Sequence, residues 1–409
     1  MLKKLLNNKD KKTLFENFIS LSTLQIVGMI LPLITLPYVL RIIGFEKYGI
    51  ITMSTVLINY FQSFTDFSFK VTATRDIATH RHSQKMINII YSKLIVIKSM
   101  FFILSIVSIL LIVLLYPPFY ENRLIYIITA FSLLGYAIFP EWFFQGIEKM
   151  KFITYLNISI KLFFTLSVFL FIKEENDFWI YPLSQTLGLI FAGAIGQYIM
   201  IRKYNVRFVR VKTKSIIENI KSNIPIFINQ FLPNLYNNTS TFILGIFQSS
   251  YMVGIYQSIL IMINLSMSLI EIFSRVFFPY LTRKKNSFEK FKKMMITLVS
   301  IGILIIILSN KLIFWYLDIK YENAFIVLLI LAIGLLGYTF SRVFGLNYFI
   351  VHRKDKLVMN NTIVASIIGF ILAFPLIYYL GIIGAAINLS LSRWIMGGGL
   401  FYKYLKYEK

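Results

Sequence analysis

Cysteine is absent from this 409-residue chain, and histidine occurs only three times. The absence of cysteine excludes disulfides and thiolate metal sites. His80 and His82 form one pair with ligand spacing, which is too little for a metal centre without further carboxylate or thiolate ligands. No Walker A loop is present, so ATP is not indicated as an energy source. We therefore predict no metal, no cofactor and no catalytic residues.

Charge is also scarce, at 15% of residues against about 25% in typical soluble domains. Hydrophobic residues make up 57% of the chain, and its mean hydropathy is +0.71. Such a chain has lipid as its main solvent. A helix needs about 20 apolar residues to cross a bilayer, so a dozen crossings with short connections would use the whole chain. That leaves no room for a soluble catalytic domain.

Long apolar runs bounded by charge predict an all-α integral membrane protein of about twelve transmembrane helices. A β-barrel is disfavoured because barrel strands are about 10 residues long and alternate in polarity. The predicted spans centre near residues 27, 58, 105, 133, 163, 189, 234, 264, 303, 334, 369 and 392.

The net charge of +24 raises the question of nucleic-acid binding, but the basic residues follow the predicted topology instead. With a cytoplasmic N-terminus, cytoplasmic segments hold 31 of the 42 Lys and Arg residues, and outer connections hold six. This asymmetry is the positive-inside rule, and it predicts that both termini are cytoplasmic. The cytoplasmic segments are 3–12, 70–93, 149–151, 202–221, 283–293, 353–356 and 403–409.

A faint internal repeat appears when the chain is aligned with itself at a shift of about 200 residues. Gly135 and Tyr136 then match Gly337 and Tyr338, each in a span that leads to a basic turn. Six helices per repeat give both halves the same orientation. We predict two pseudo-symmetric six-helix bundles, 1–204 and 205–409, around a central lumen.

Three segments resemble one family. PLITLPYVLRIIGFEKYG at 32–49 looks like the opening signature of bacterial polysaccharide repeat-unit flippases, which export O-antigen and capsule units. PEWFFQGIEKM at 140–150 resembles the second signature of these flippases, and LGIIGAA at 380–386 resembles the tight turn before their last span. The resemblance implies membership of the multidrug/oligosaccharidyl-lipid/polysaccharide exporter superfamily, with two bundles and a lumen open alternately to each side. It also implies a bacterial cytoplasmic (inner) membrane.

Ionisable residues at membrane depth are expensive, so they normally face a partner or a water-filled cavity. We predict that Lys161, Arg275, Arg342 and Arg393 line the lumen and bind substrate; snorkelling or structural pairing is the alternative. Glu271 and Arg275 are four residues apart and share a helix face. Three carboxylates are candidates for ion coupling or for structural pairing: Asp66, Glu141 and Glu271.

Uncharged polar residues and prolines interrupt the first and seventh spans. Proline frees backbone carbonyls, which at membrane depth must meet side chains or cavity water. We therefore predict that Gln25, Asn237 and Asn238 line the lumen and contact substrate. The candidate gating or hinge residues are Pro32, Pro37, Pro225 and Pro233.

Together these features indicate a flippase that moves a polyprenyl-diphosphate-linked oligosaccharide from the cytoplasmic to the outer leaflet. Its expected partners are this substrate and membrane lipids, with a polysaccharide polymerase and glycosyltransferases of the same pathway, and no nucleic acid. A multidrug cation antiporter of the same superfamily is one alternative, although its membrane interior should be acidic. A membrane polymerase or glycosyltransferase is another, although the outer connections are too short for a catalytic domain.

Overall fold

The structure of the chain is a computed structural model that describes the backbone of residues 9–407. Side chains are described from residue 20 onward, except those of residues 21, 229 and 233–236. Within this range the regular structure is helical and contains no strand. Nine of the described helices are long and apolar enough to cross a membrane. The chain is therefore an all-α, multi-pass membrane protein, and the count of twelve spans stays a prediction.

Fifteen α-helices follow one another along the described chain. They are α1 (Lys9–Asp66), α2 (Phe69–His80), α3 (Gln84–Leu115), α4 (Pro117–Glu121), α5 (Arg123–Ala130), α6 (Ser132–Ile138), α7 (Glu141–Gly146), α8 (Met150–Phe171), α9 (Ile180–Tyr204), α10 (Thr213–Phe247), α11 (Ser250–Arg283), α12 (Phe288–Leu308), α13 (Asn310–Leu317), α14 (Ala324–Phe340) and α15 (Asp355–Tyr407). Short 3-10 helices occupy Glu175–Trp179 and Lys285–Ser287, and a π-helix, Ser341–Ile350, directly continues α14.

Two of these helices are broken by a glycine. α1 has 58 residues, which at 1.5 Å per residue is about 87 Å, nearly three times a hydrocarbon core of about 30 Å. Gly44 leaves the helical region at φ 72° and ψ 171°, and Gly381 does so in α15 at φ 53° and ψ −128°. Positive φ costs glycine little because it lacks a Cβ. Each break therefore separates two arms that are each long enough to cross the bilayer.

The described residues form two compact units. Unit 1 contains the residues up to Ile42 together with Leu57–Gln230, and unit 2 contains Ile43–Val56 together with the residues from Phe231 onward. Unit 1 has an aromatic core in which Phe67 stacks on Phe227 at 4.6 Å between ring centroids. In unit 2, Phe344 and Tyr404 are buried and their rings lie 4.9 Å apart.

A close contact between glycines and the facing backbone recurs in both units. In unit 1 a Cβ on Gly193 of α9 would lie 3.2 Å from the carbonyl oxygen of Gly135 in α6. In unit 2 a Cβ on Gly397 of α15 would overlap with the carbonyl oxygen of Gly337 in α14. Glycine permits such approaches between membrane helices. The residues that the sequence repeat aligns, Gly135 and Gly337, thus make the same kind of contact in each unit.

Candidate functional site

Unit 1 contains an open cavity of about 330 Å³ among α1, α6, α8 and α9. Lys161 of α8 is the charged residue that lines it, and the polar residues around it include Asn157, Tyr136 and Gln185. The remaining lining residues are Leu31, Pro32, Thr35, Ile160, Phe164, Tyr181 and Leu189. The cavity therefore combines one cationic side chain with amides, phenols and aromatic rings.

Lys161 forms no ion pair with a carboxylate in the described part of the chain. Its ammonium lies close to α1, where a Cβ on Gly28 would be only 3.2 Å from Lys161 Nζ. Gln25 is half-buried and precedes Gly28 by three residues, so it shares that face of α1 with Pro32. Of the predicted lumen residues, Lys161 and Pro32 thus belong to this cavity, and Gln25 lies on the same helix face.

A second cluster of charges lies in unit 2. Arg275 Nη2 is 2.7 Å from Glu271 Oε1 one turn earlier in α11, and Arg342 Nη2 of the π-helix is 3.7 Å from the same oxygen. Arg342 also donates from Nε to the Tyr338 hydroxyl at 3.0 Å, with its guanidinium over that ring. The side chain of Arg275 is 65% exposed and that of Arg342 is 34% exposed. Two guanidinium groups thus share one carboxylate.

Arg393 lies elsewhere in unit 2, inside the protein and only 2% exposed. It lies within electrostatic range of Tyr256, whose hydroxyl hydrogen-bonds with Ser240. Asn388 Nδ2 donates to Ser240 Oγ at 3.0 Å, and these neighbours are buried as well. Arg393 therefore belongs to a buried polar network in this conformation.

The predicted residues of the seventh span lie in α10. Asn237 is exposed and Asn238 is half-buried, whereas Pro225 is exposed earlier in the same helix. The side chain of Pro233 lies outside the described residues. In α1 the helix continues through Pro32 and Pro37 and leaves helical geometry at Gly44 instead. The hinge role of the four prolines stays a prediction.

Two of the three candidate carboxylates lie in ion pairs of unit 1. Lys98 Nζ is 2.9 Å from Asp66 Oδ1, and Lys70 Nζ is 2.9 Å from Glu141 Oε1. The Lys98 side chain is almost fully buried at 4% exposure, whereas Asp66 is 32% exposed. Asp66 is the last residue of α1 and precedes Phe67 and Ser68, which both have positive φ. The pair therefore joins α3 to the break between α1 and α2.

We expect Asp66→Asn to lower the free energy of unfolding by about 2 kcal/mol, because it leaves the buried Lys98 ammonium without its counter-charge. Removing one partner of a fully buried pair costs roughly 3–5 kcal/mol, and the partial exposure of Asp66 reduces this. Detergent-titrated unfolding of the purified protein measures the change. The double variant Asp66→Asn/Lys98→Met should recover most of the loss. Additive losses in that double-mutant cycle would contradict a coupled pair.

Several residues of these clusters were not predicted from the sequence. These residues are Tyr136 and Gln185 of the cavity and Tyr256 and Asn388 of the buried network, and all four are uncharged. Except for Asn388, they are far in sequence from Lys161 and Arg393, so no sequence pattern indicated that they lie near these charges in space. One signal was available for Tyr136, because the repeat aligns it with Tyr338, the partner of Arg342.

Comparison with known proteins gives consistent matches over nearly the whole chain. The family model described as "Polysaccharide biosynthesis protein" matches residues 14–285. A protein of Escherichia coli (strain K12) named "Putative O-antigen transporter" is 26% identical over 391 residues, which is 93% of this chain and 94% of that protein. A protein of the same name from Shigella dysenteriae is 24% identical over 387 residues, 92% of this chain and 96% of that protein.

Two solved structures share the fold at lower identity. The lipid II flippase MurJ in an inward closed conformation has a TM-score of 0.74 and 13% identity, covering 96% of this chain and 87% of that one. An inward-facing multidrug resistance transporter of the MATE family and MOP superfamily has a TM-score of 0.64 and 11% identity, covering 96% of this chain and 98% of that one. At these identities the likeness shows the fold.

Proposed function

The chain belongs to the family of polysaccharide biosynthesis proteins, and from this premise we propose that it is a flippase for a lipid-linked oligosaccharide. The substrate is a sugar unit on a polyprenyl diphosphate, carried from the cytoplasmic to the outer leaflet. The two relatives above carry the name "Putative O-antigen transporter", which supports an O-antigen or capsular repeat unit. The protein acts as a carrier, not as an enzyme.

The observation that carries this proposal is the shared carboxylate in unit 2. Two guanidinium groups, those of Arg275 and Arg342, lie within ion-pair distance of one carboxylate, that of Glu271, so these three side chains together carry a formal charge of +1. Guanidinium groups bind phosphate oxygens bidentately through their planar fork. This cluster would attract a diphosphate and repel a cationic drug.

In the proposed mechanism, Arg275 and Arg342 bind the diphosphate. Because Glu271 partly offsets their charge, the binding is weak enough for the diphosphate to be released. Gln25, Asn237 and Asn238 hydrogen-bond to sugar hydroxyls, and Lys161 contributes a further positive charge. Arg393, buried here, would join the site only in another state of the transport cycle. The halves 1–204 and 205–409 rock through the proline-containing helices, with Pro32, Pro37, Pro225 and Pro233 as hinges.

Reconstitution tests the proposal directly. A fluorescent lipid-linked oligosaccharide is placed in the inner leaflet of proteoliposomes, and an impermeant quencher is added outside. The fluorescence should fall faster than in protein-free vesicles, because flipped lipid reaches the quencher. Parallel vesicles loaded with a cationic dye test the multidrug antiporter. Export of the dye without movement of the lipid-linked sugar would overturn the flippase assignment. Chain growth from activated sugars, without flipping, would favour a polymerase or glycosyltransferase.

We predict a topology in which both termini are cytoplasmic and the membrane is the bacterial inner membrane. Reporter fusions after Lys214 and Lys290 should be active only as cytoplasmic reporters, because basic loops stay inside. Fusions after Asn122 and Glu175 should be active only outside. A reversed pattern would reverse the direction of transport. The polymerase and glycosyltransferases of the same glycan pathway are the proposed functional partners.

A further inference from the structure

We propose that the cavity of unit 1 binds a monoanionic sugar, such as a hexuronic acid, through the Lys161 ammonium. This inference rests on the proposed function, since it assigns the cavity to the sugar part of the carried lipid. It adds a substrate class, because it predicts that the repeat unit contains an acidic monosaccharide.

The charge of the cavity sets the charge of the ligand. Lys161 is the one charged side chain among the lining residues, and no lining residue is a carboxylate. A lysine ammonium is a compact point charge without the fork that suits phosphate. A diphosphate carries more negative charge than one ammonium can balance, whereas a single carboxylate matches it. The cavity therefore differs from the two-guanidinium cluster of unit 2.

Three polar side chains of the cavity have no partner within the described protein. Lys161, Tyr136 and Gln185 make no ion pair or hydrogen bond with any described residue. A polar group at membrane depth that lacks a partner is costly. Between them they offer an ammonium, a phenol and an amide, which can donate to a carboxylate and both donate to and accept from sugar hydroxyls. The set is complementary to an acidic sugar.

The size and the remaining lining fit one sugar ring. Small-ligand pockets hold about 300–1,000 Å³, and this cavity of about 330 Å³ lies at the lower end. Phe164 and Tyr181 pack edge to face with ring centroids 4.8 Å apart, so aromatic surface stands beside the polar groups. Apolar and aromatic walls with a few placed polar groups are typical of a ligand site.

Because Gly28 has no side chain, it leaves room for the Lys161 ammonium. A methyl group there would approach Lys161 Nζ to 3.2 Å and its Cε to 3.6 Å, so Gly28→Ala crowds the charge without removing it. A methyl group on Gly302 of unit 2 would meet nothing within 4 Å, so this residue offers the matched control. The same substitution at these two sites distinguishes an effect on the cavity from a general effect of alanine in a membrane helix.

The experiment measures the binding of methyl β-glucuronide and methyl β-glucoside to the purified full-length protein in lipid nanodiscs by saturation-transfer NMR. The two probes have the same ring and differ in charge. We expect the glucuronide to bind about ten- to a hundredfold more tightly than the glucoside, as one charge-assisted hydrogen bond would provide. Lys161→Met should remove this preference, and Lys161→Arg should keep most of it. Gln185→Leu should weaken the binding of both probes. Gly28→Ala should weaken the binding of the glucuronide more than Gly302→Ala does.

Three results would overturn the inference: equal affinities of the two probes, an unchanged preference in Lys161→Met, or stronger competition by inorganic pyrophosphate than by glucuronide. The last result would assign the cavity to the diphosphate. The proposed function is tested separately in proteoliposomes with lipid-linked units that contain or lack a uronic acid. If both units are flipped equally and Lys161→Met changes neither, the inference fails while the flippase stands. If neither unit moves although the sugar preference is measured, the flippase proposal fails instead.

Discussion

Replacing Gly397 with valine should destroy the packing of unit 2. A Cβ at this position would overlap with the carbonyl oxygen of Gly337 and lie 2.9 Å from Cβ of Phe340. Both obstacles belong to α14, and the first is backbone, which cannot move aside by a change of rotamer. Overpacking in a close-packed interior costs typically about 1–3 kcal/mol even where side chains can adjust. We expect a loss of at least about 3 kcal/mol, seen as the disappearance of the monodisperse peak in a thermal series followed by size-exclusion chromatography.

The adjacent residue supplies the control. Gly398 lies in the same helix, and a Cβ there would meet nothing within 4 Å. Gly398→Val makes the same change in β-branching and helix propensity. Its monodisperse peak should therefore disappear within a few degrees of the temperature at which the peak of the unaltered protein disappears. Similar behaviour of the two variants would contradict the close crossing of α14 and α15. A loss confined to Gly397→Val would establish it.

Much of the fold could be predicted because lipid imposes simple rules on sequence. Twenty-residue apolar runs are local properties, and they indicate membrane helices without knowledge of contacts. The direction that the basic loops indicate stays a prediction. The turn within α15 was also indicated, by the motif that contains Gly381, and the break at Gly44 in α1 lies between the spans predicted near residues 27 and 58. α10 carries asparagines and prolines among its apolar residues, and the repeat predicts a membrane crossing there. Its polarity was the signal that predicted a substrate-lining helix.

The candidate site was predictable only where spacing alone determines proximity. Glu271 and Arg275 lie four residues apart in one helix, so their 2.7 Å pair follows from helical geometry. The approach of Arg342 to the same carboxylate depends on how the π-helix packs against α11, which no local pattern encodes. Lys98 shows the same limit, because snorkelling and a buried pair with Asp66 are equally compatible with its position in the sequence. Which charges meet is a tertiary property.

Arg342→Ala should reduce flipping of the lipid-linked oligosaccharide by about ten- to a hundredfold, the loss of one charge-assisted contact. The substitution leaves Arg275 alone with Glu271, so the net charge of the cluster falls from about +1 to zero. Insertion should persist, because removing a charge from a span lowers the insertion cost. Arg342→Lys should keep an intermediate rate, since it restores the charge without the fork. Initial rates in proteoliposomes, normalised to inserted protein, provide the measurement.

A double variant distinguishes net charge from geometry. Arg342→Ala/Glu271→Gln returns the cluster to about +1 through Arg275, and it should recover part of the lost rate if attraction of the diphosphate is the main contribution. Lys320→Ala is the control, because Lys320 is 82% exposed beside Asp318 and its loss removes a charge away from the cluster. A double variant no better than Arg342→Ala would assign the effect to the bidentate fork. Normal flipping by Arg342→Ala itself would remove the guanidinium cluster from the transport mechanism.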